Sequence, residues 1–284
     1  MRYLGWEFFQ KFREHAFAPH WHLCTMDLKD MDTNKRLKGK VFMAGAGREW
    51  ADPMVVTEGG QVFLFMEEVV SGVGHIAAVR LDKKTLKPLG KPVVVLKKNT
   101  HLSYPYVFRV GSEWYMIPEN SAARELAIYK AVDFPWKWEP FRVVFQNEAW
   151  VDTTPFYYDD KWWIFSVKRP VSYASFYQEL YLFSCKHILT DEWRSHPQNP
   201  VVSDVRHARP GGPLYRIGNK IYRPAQNCLN KYGGGLSICE VVTLSGEQYE
   251  EKVLRELHFP WYSRLSSFHT AAIHENKVIG DCYF

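Results

Sequence analysis

The stretch ADPMVVTEGGQVFLFME, from Ala51 to Glu67, decides the fold. A proline leads into a short apolar run, the turn residues Glu58-Gly59-Gly60 follow, and an aromatic-rich run completes the stretch. Two apolar runs on either side of a glycine-containing turn indicate a β-hairpin.

This pattern returns four more times along the chain. The repeats are SYPYVFRVGSEWYMIPE (Ser103–Glu119), TTPFYYDDKWWIFSVK (Thr153–Lys168), GGPLYRIGNKIYRPAQ (Gly211–Gln226) and FHTAAIHENKVIGDCYF (Phe268–Phe284). Their anchors, Pro53, Pro105, Pro155, Pro213 and Thr270, are 52, 50, 58 and 57 residues apart. A third β-like run follows each of the first four hairpins, as in HIAAVRLD, and a fourth often follows that, as in PVVVLKK. Four strands per unit at this period predict the blades of a β-propeller.

The fifth repeat reaches the end of the sequence after two strands, so its outer pair must come from elsewhere. The segment Trp21–Lys40 and the VFMAG that follows mirror His75–Lys98. The sequence therefore predicts an all-β, five-bladed propeller over residues 21–284, with four-stranded blades and a ring closed by the N-terminal strands.

Residues 1–20 are predicted to form a capping segment. Trp6, Phe9, Phe12 and Phe17 form one apolar face if Gly5–Phe17 is helical. A helix that docks a partner or a membrane surface, and a hairpin, remain open as alternatives.

Composition narrows the possible functions. The 284 residues have a net charge of +5, well below that of most nucleic-acid binders, and no apolar run approaches the ~20 residues of a membrane span. Five scattered cysteines and no signal peptide indicate reduced, buried thiols and a cytoplasmic protein. Neither a metal site nor a cofactor motif is recognised, and the sequence does not indicate an oligomeric state.

Two sets of polar residues are expected to meet on the propeller axis. The residues just before the anchors vary between blades and are Asp52, Tyr104, Thr154, Gly212 and His269. The ends of the second strands carry Glu67, Glu119, Lys168 and Gln226. These side chains can bind polar ligand groups, or they can pair with one another within the channel.

Cations outnumber acids in the loops of the same predicted face, which favours an anionic ligand. They are Lys168, Arg169, Arg206, Arg209, Arg223, His101, His207 and His269. Tyr104 and Tyr232 are expected to stack on sugar rings, and Asp52, Glu119 and Asp152 are the predicted catalytic carboxyl groups.

The ordered motifs ADPMVV, HLSYPYVF, MIPEN, RPGGPLY, YRPAQN, YGGGLSI and FHT resemble the N-terminal domain of glucosamine inositolphosphorylceramide transferases and its bacterial relatives. More distantly, the chain resembles the five-bladed propellers of glycoside hydrolase family 43 and the invertase–levansucrase group. Both resemblances imply a propeller and carbohydrate chemistry, and the bacterial relatives imply polysaccharide biosynthesis.

The hydrolase resemblance implies that Asp52 is a general base, but two other carboxylates of that pattern are displaced or missing. Thr154 stands where an aspartate is expected, with Asp152 nearby, and Gly211-Gly212-Pro213 replaces Glu-Gly-Pro. Without that glutamate, an activated donor with a good leaving group is favoured. The expected function is glycosyl transfer from a nucleotide sugar or sugar phosphate. The alternatives are a glycan-binding or scaffolding propeller, a glycoside hydrolase and a phosphorylase.

Overall fold

The computed structural model describes residues 20–29, 40–168, 178–258 and 267–283. The predicted capping segment lies outside these ranges apart from His20, as does the predicted site residue Arg169. Within the described ranges there is no α-helix, and a 3₁₀ turn spans Ser121–Ala123. No helix there is long and apolar enough to cross a membrane.

In the described residues, twenty strands form five antiparallel sheets of four strands, which confirms the five-bladed propeller. Blade 1 contains β3 (Arg48–Glu58), β4 (Gln61–Val70), β5 (Val73–Leu81) and β6 (Val93–Leu96). Blade 2 contains β7 (Ser103–Val110), β8 (Glu113–Glu119), β9 (Glu125–Asp133) and β10 (Lys137–Gln146). Blade 3 contains β11 (Trp150–Tyr158), β12 (Lys161–Lys168), β13 (Leu180–Cys185) and β14 (Arg194–Ser195). Blade 4 contains β15 (Tyr215–Ile217), β16 (Lys220–Asn227), β17 (Gly235–Leu244) and β18 (Tyr249–Leu257).

Blade 5 joins the two ends of the sequence, as predicted. Its strands lie in the order β19 (Ala271–His274), β20 (Lys277–Tyr283), β1 (Trp21–Asp27) and β2 (Lys40–Phe42). β1 pairs with β20 along its whole length, from Trp21 opposite Tyr283 to Asp27 opposite Lys277. The N-terminal strands therefore close the ring.

The middle strands of each blade are buried on both faces, because neighbouring blades cover them. In β4 every residue from Val62 to Glu68 is buried, whereas most of the outermost strand β10 is at least partly exposed. This double burial explains why the sequence shows continuous apolar runs there rather than a simple alternation. All five cysteines are buried free thiols, as expected.

Ring closure can be tested at Leu23, which is 1% exposed and lies in the same apolar cluster as Leu64 and Met66 of blade 1. We expect Leu23→Ala to lower the free energy of unfolding by about 2–5 kcal/mol, because it leaves a cavity between blades 5 and 1. Val93→Ala, at a 50% exposed position, is the control and should change stability by about 0.5 kcal/mol or less. Denaturant titration gives both values, and equal effects would argue against closure by β1.

Candidate functional site

Three innermost strands carry the same β-bulge near the axis. In each of them the pairing with the second strand is interrupted for two residues, between Ala51 and Met54, between Ser103 and Tyr106, and between Val151 and Thr154. The second residue of each bulge has a positive φ, at 52° for Asp52, 43° for Tyr104 and 50° for Asp152. Left-handed backbone at non-glycine residues is uncommon and concentrates at functional sites.

The bulges correct the sequence alignment of blade 3. Asp152, and not Thr154, occupies the position equivalent to Asp52, because the proline of blade 3 lies two residues further along its strand. The hydroxyl groups of Thr154 and Tyr104 form a hydrogen bond of 2.8 Å, in which either can be the donor. The expected second aspartate is therefore present on the axis.

The same strand register shows that Lys168 is not equivalent to Glu67 and Glu119, as the sequence had indicated. Glu67 lies opposite Ala51 and Glu119 opposite Ser103, but Val167 lies opposite Val151. A shift of one residue turns a strand side chain to the other face. The Lys168 ammonium accordingly pairs with Glu148 and lies over the ring of Trp150.

Two other predicted ligand-binding residues form a separate buried cluster in blade 4. The guanidinium of Arg223 is 0% exposed and pairs with both oxygens of Glu251, at 2.8 and 2.6 Å. His207 Nδ1 is 3.0 Å from the same carboxylate. Arg206 pairs with Asp204 at the surface. The acids that pair with these cations, Asp204 and Glu251, are not axial residues, so the cations lie outside the axial cluster.

The remaining predicted residues do meet around the axis. They are Asp52, Glu67, His101, Tyr104, Glu119, Asp152, Arg209, Gln226, Tyr232 and His269, linked by the contacts described next. A surface cavity of about 720 Å³ lies elsewhere, at the hairpin end of blade 3, and none of these residues lines it.

Asp52 is buried and held on both carboxylate oxygens. Oδ2 accepts a hydrogen bond from the Tyr104 N–H at 3.1 Å, and Oδ1 accepts one from the Thr270 hydroxyl at 2.8 Å. Burial raises its pKa to about 6, with the positive charge of His269 opposing the rise. Such a group is ionised at neutral pH yet basic enough to accept a proton.

Asp281 was missed by the sequence analysis, although a lone acid in the apolar strand VIGDCYF was a signal. Its carboxylate accepts hydrogen bonds from the N–H groups of Asp52, His269 and Thr270, each at 3.0 Å. It also lies 2.7 Å from Nδ1 of His269. Burial opposes charge on this imidazole, but Asp281 and Asp52 together raise its pKa to about 9.

Asp52, His269 and Asp281 offer ligand atoms within 4.8 Å of one another, the spacing a cation site needs. Their oxygens are already used by backbone N–H groups and the Thr270 hydroxyl, and the imidazole carries a proton at neutral pH. Hydrogen bonding and charge pairing therefore account for this group.

Asp152 and Arg209 form the second centre. Asp152 Oδ2 accepts hydrogen bonds from Arg209 Nε at 2.5 Å and from Gln226 Nε2 at 2.7 Å. Burial raises the pKa of Asp152 to about 7, against the lowering effect of Arg209. The guanidinium also lies over the ring of Tyr232, whose side chain is 40% exposed. Tyr232 thus presents an aromatic surface next to the charged groups.

Glu67 and His101 form a third pair at the channel. His101 Nε2 is 2.6 Å from Glu67 Oε1, while its Nδ1 accepts the Gly74 N–H. Burial raises the pKa of Glu67 to about 7, with the hydrogen bond from His101 acting in the opposite direction. A side chain at position 74 would collide with this pair, since a Cβ there would lie 2.7 Å from the carboxylate.

The glycine pair at 211–212 is closely packed at the place where the hydrolase pattern has Glu-Gly. A Cβ on Gly212, whose φ is +129°, would lie 2.1 Å from the carbonyl oxygen of Ala271. A Cβ on Gly211 would lie 2.6 Å from Leu236. The Gly212 N–H instead donates to the Tyr104 hydroxyl at 3.0 Å.

The charge on His269 predicts a pH dependence of stability. The folded chain holds this proton up to about pH 9, while the unfolded chain loses it near 6.5. Its stabilising contribution is therefore complete below pH 6.5 and lost as the pH rises through 9, on the order of 3 kcal/mol in total. We expect the free energy of unfolding to fall from pH 7 to 9, and to fall less in Asp281→Asn. Equal slopes in the two proteins would contradict this assignment.

Comparison with solved structures supports the fold. A GH62 α-L-arabinofuranosidase from Coprinopsis cinerea has a TM-score of 0.59, 11% identity and coverage of 82% of this chain and 90% of its own. A family 117 glycoside hydrolase from Zobellia galactanivorans has a TM-score of 0.56, 12% identity and coverage of 94% and 91%. At these identities the likeness shows the propeller alone.

Curated sequences give a closer relation. The protein named glucosamine inositolphosphorylceramide transferase 1 of Oryza sativa subsp. japonica is 33% identical over 207 residues, and that of Arabidopsis thaliana is 30% identical. Both matches cover 71% of this chain, which spans about a quarter of the relatives' length (27% and 26%). A family model described as "Glucosamine inositolphosphorylceramide transferase 1, N-terminal" matches residues 42–264, and the chain therefore belongs to that family.

Proposed function

We propose that this chain is a carbohydrate-active enzyme whose axial site transfers a glycosyl group to a sugar hydroxyl, with Asp52 as the general base. The observation that carries the proposal is the position of Asp52, on a left-handed bulge with both oxygens held and its pKa raised to about 6. A fixed base that titrates close to neutral pH suits the removal of a proton from an acceptor hydroxyl.

The surroundings of Asp52 favour one fixed orientation. Asp281 binds the N–H of Asp52, and the same carboxylate holds His269. Preorganised contacts of this kind lower the cost of aligning a catalytic group with its substrate. Tyr232 offers a partly exposed ring on which a sugar can stack.

For the donor we propose a nucleotide sugar or a sugar phosphate, bound through Arg209 and His269. Together with His101, which pairs with Glu67, these cations lie among the axial carboxyl groups, whereas Lys168, His207 and Arg223 pair elsewhere. The plant relatives are named transferases, which supports this reaction class for the present chain.

Glycoside cleavage is a second candidate. The carboxyl groups of Asp52, Glu67, Glu119, Asp152 and Asp281 outnumber the cations among the described axial residues. Hydrolysis at an anomeric carbon uses two carboxyl groups, one to protonate the leaving oxygen and one to activate water. The presence of Asp152 at the position equivalent to Asp52 favours this candidate.

We expect Asp52→Asn to reduce turnover by about 10²–10⁴-fold with little change in donor affinity, because the variant keeps its shape but cannot accept a proton. The matched control is Asp159→Asn, an exposed aspartate with the same left-handed backbone (φ 53°). Product formation from nucleotide sugars and sugar phosphates is assayed beside release of free sugar from oligosaccharides. Full activity of Asp52→Asn would refute its role as base, and release of sugar from unactivated glycans would favour hydrolysis.

Arg209 allows a separate test of the anionic donor. Arg209→Lys keeps the charge that Asp152 requires but loses the forked geometry, and we expect it to weaken donor binding by roughly tenfold or more. Calorimetric titration compares a nucleotide sugar with the corresponding neutral sugar. A similar loss for both ligands would count against recognition of an anion by Arg209.

A further inference from the structure

Two carboxyl groups, from Glu119 of blade 2 and Asp152 of blade 3, share one cation. Arg209 Nε lies 2.5 Å from Asp152 Oδ2, and its Nη2 lies 3.8 Å from Glu119 Oε2. Arg209 thus brings the two carboxyl groups together, and the Glu119 carboxyl group raises the pKa of Asp152. Two ionised carboxylates held on one guanidinium repel each other, and a proton bound by either of them removes the repulsion.

Each carboxyl group has one well-bonded oxygen and one poorly bonded oxygen. Asp152 Oδ2 accepts from Arg209 and Gln226, whereas Oδ1 has only a long contact of 3.4 Å to Arg209 Nη2. Glu119 Oε1 accepts from the Ser121 hydroxyl at 2.6 Å, while Oε2 is buried and accepts no hydrogen bond. A proton between Asp152 Oδ1 and Glu119 Oε2 satisfies both of the poorly bonded atoms.

The charge balance of the site also indicates one bound proton on Asp152 and Glu119. With both acids ionised, the group of Asp152, Glu119 and Arg209 would carry a net negative charge in a buried position. Asp52 is a further acid beside Asp152, while Tyr104, Tyr232 and Cys228 are neutral at pH 7. The nearby imidazoles of His101 and His269 lie against Glu67 and Asp281, which match their charge, so one bound proton is what neutralises the group.

We infer that Asp152 and Glu119 hold a single shared proton and that this pair is the proton donor which positions 211–212 do not supply. The raised pKa of Asp152, about 7, agrees with this placement. Glu119 is the member nearer to solvent, because its side chain is 12% exposed and that of Asp152 only 1%.

The donor role rests on the proposed function. As the bond between the anomeric carbon and the leaving oxygen breaks, Glu119 gives the proton to that oxygen. The acceptor oxygen forms the new bond to the anomeric carbon, and its own proton goes to Asp52. One proton is given and one is taken, and exchange with solvent restores both groups. The site can then use a donor whose leaving group is a sugar hydroxyl, a poorer leaving group than phosphate.

The shared proton can be observed without turnover. Infrared difference spectra of the full chain between pH 5 and 9 should contain a protonated carboxylic acid band that disappears near pH 7. We expect part of this band to be lost in both Glu119→Gln and Asp152→Asn. Glu113→Gln, at the exposed opposite end of β8, is the control and should leave the band unchanged.

Carbon-13 resonances of the two carboxyl groups in the unmodified protein provide a measurement that does not depend on folding of the variants. Coupled titration of Asp152 and Glu119 supports the pair, whereas independent titration, or ionisation of both below pH 5, overturns it. Because neither measurement needs a reaction, a chain that shows the pair without catalysing any transfer would overturn the proposed function alone.

The donor role is tested by the leaving group. With aryl glycosides of decreasing leaving-group acidity, Glu119→Gln should lose at least about 10²-fold in turnover for the poorest leaving groups and little for the best. A uniform loss across the series, or full turnover throughout, would overturn the role of Glu119 as donor.

Discussion

The centre of this molecule depends on the hydrogen bonds that the carboxylate of Asp281 accepts. It is fully buried, and it binds backbone N–H groups from blade 1 and from the loop before β19. A buried anion of this kind is tolerated only when hydrogen bonds and a counter-charge replace water. His269 supplies the counter-charge, so one residue both joins the first and last blades and sets the charge beside Asp52.

The repeat pattern was sufficient to predict the fold. The number of blades, the hairpins and the contribution of Trp21–Asp27 to the last blade all follow from spacing and alternation, because a propeller repeats one local unit. The β-bulges could not be predicted from the sequence. An extra residue in a strand leaves no mark in an apolar pattern, so the alignment on Pro155 assigned Thr154 and Lys168 to positions that Asp152 and Val167 occupy.

The site was predicted only in part, because the sequence does not show how its charged groups pair. Sequence alone counts cations, but it does not show which acid lies beside each of them. The sequence indicates that Arg223 could bind an anionic ligand, but in the structure its Nε and Nη2 donate to the two oxygens of Glu251. The sequence predicts a basic pocket, whereas the structure has an axial site rich in carboxyl groups. Burial raises the pKa values of Asp52, Glu67 and Asp152 to about 6 or 7.

The close approach of Gly212 to the carbonyl of Ala271 has a consequence for the spacing between blades 4 and 5. A Cβ at position 212 would lie 2.1 Å from the Ala271 carbonyl oxygen, and the φ of +129° is one that residues other than glycine rarely adopt. Backbone rather than side chains therefore sets the distance between the two blades at this point, and any larger residue at position 212 would widen it.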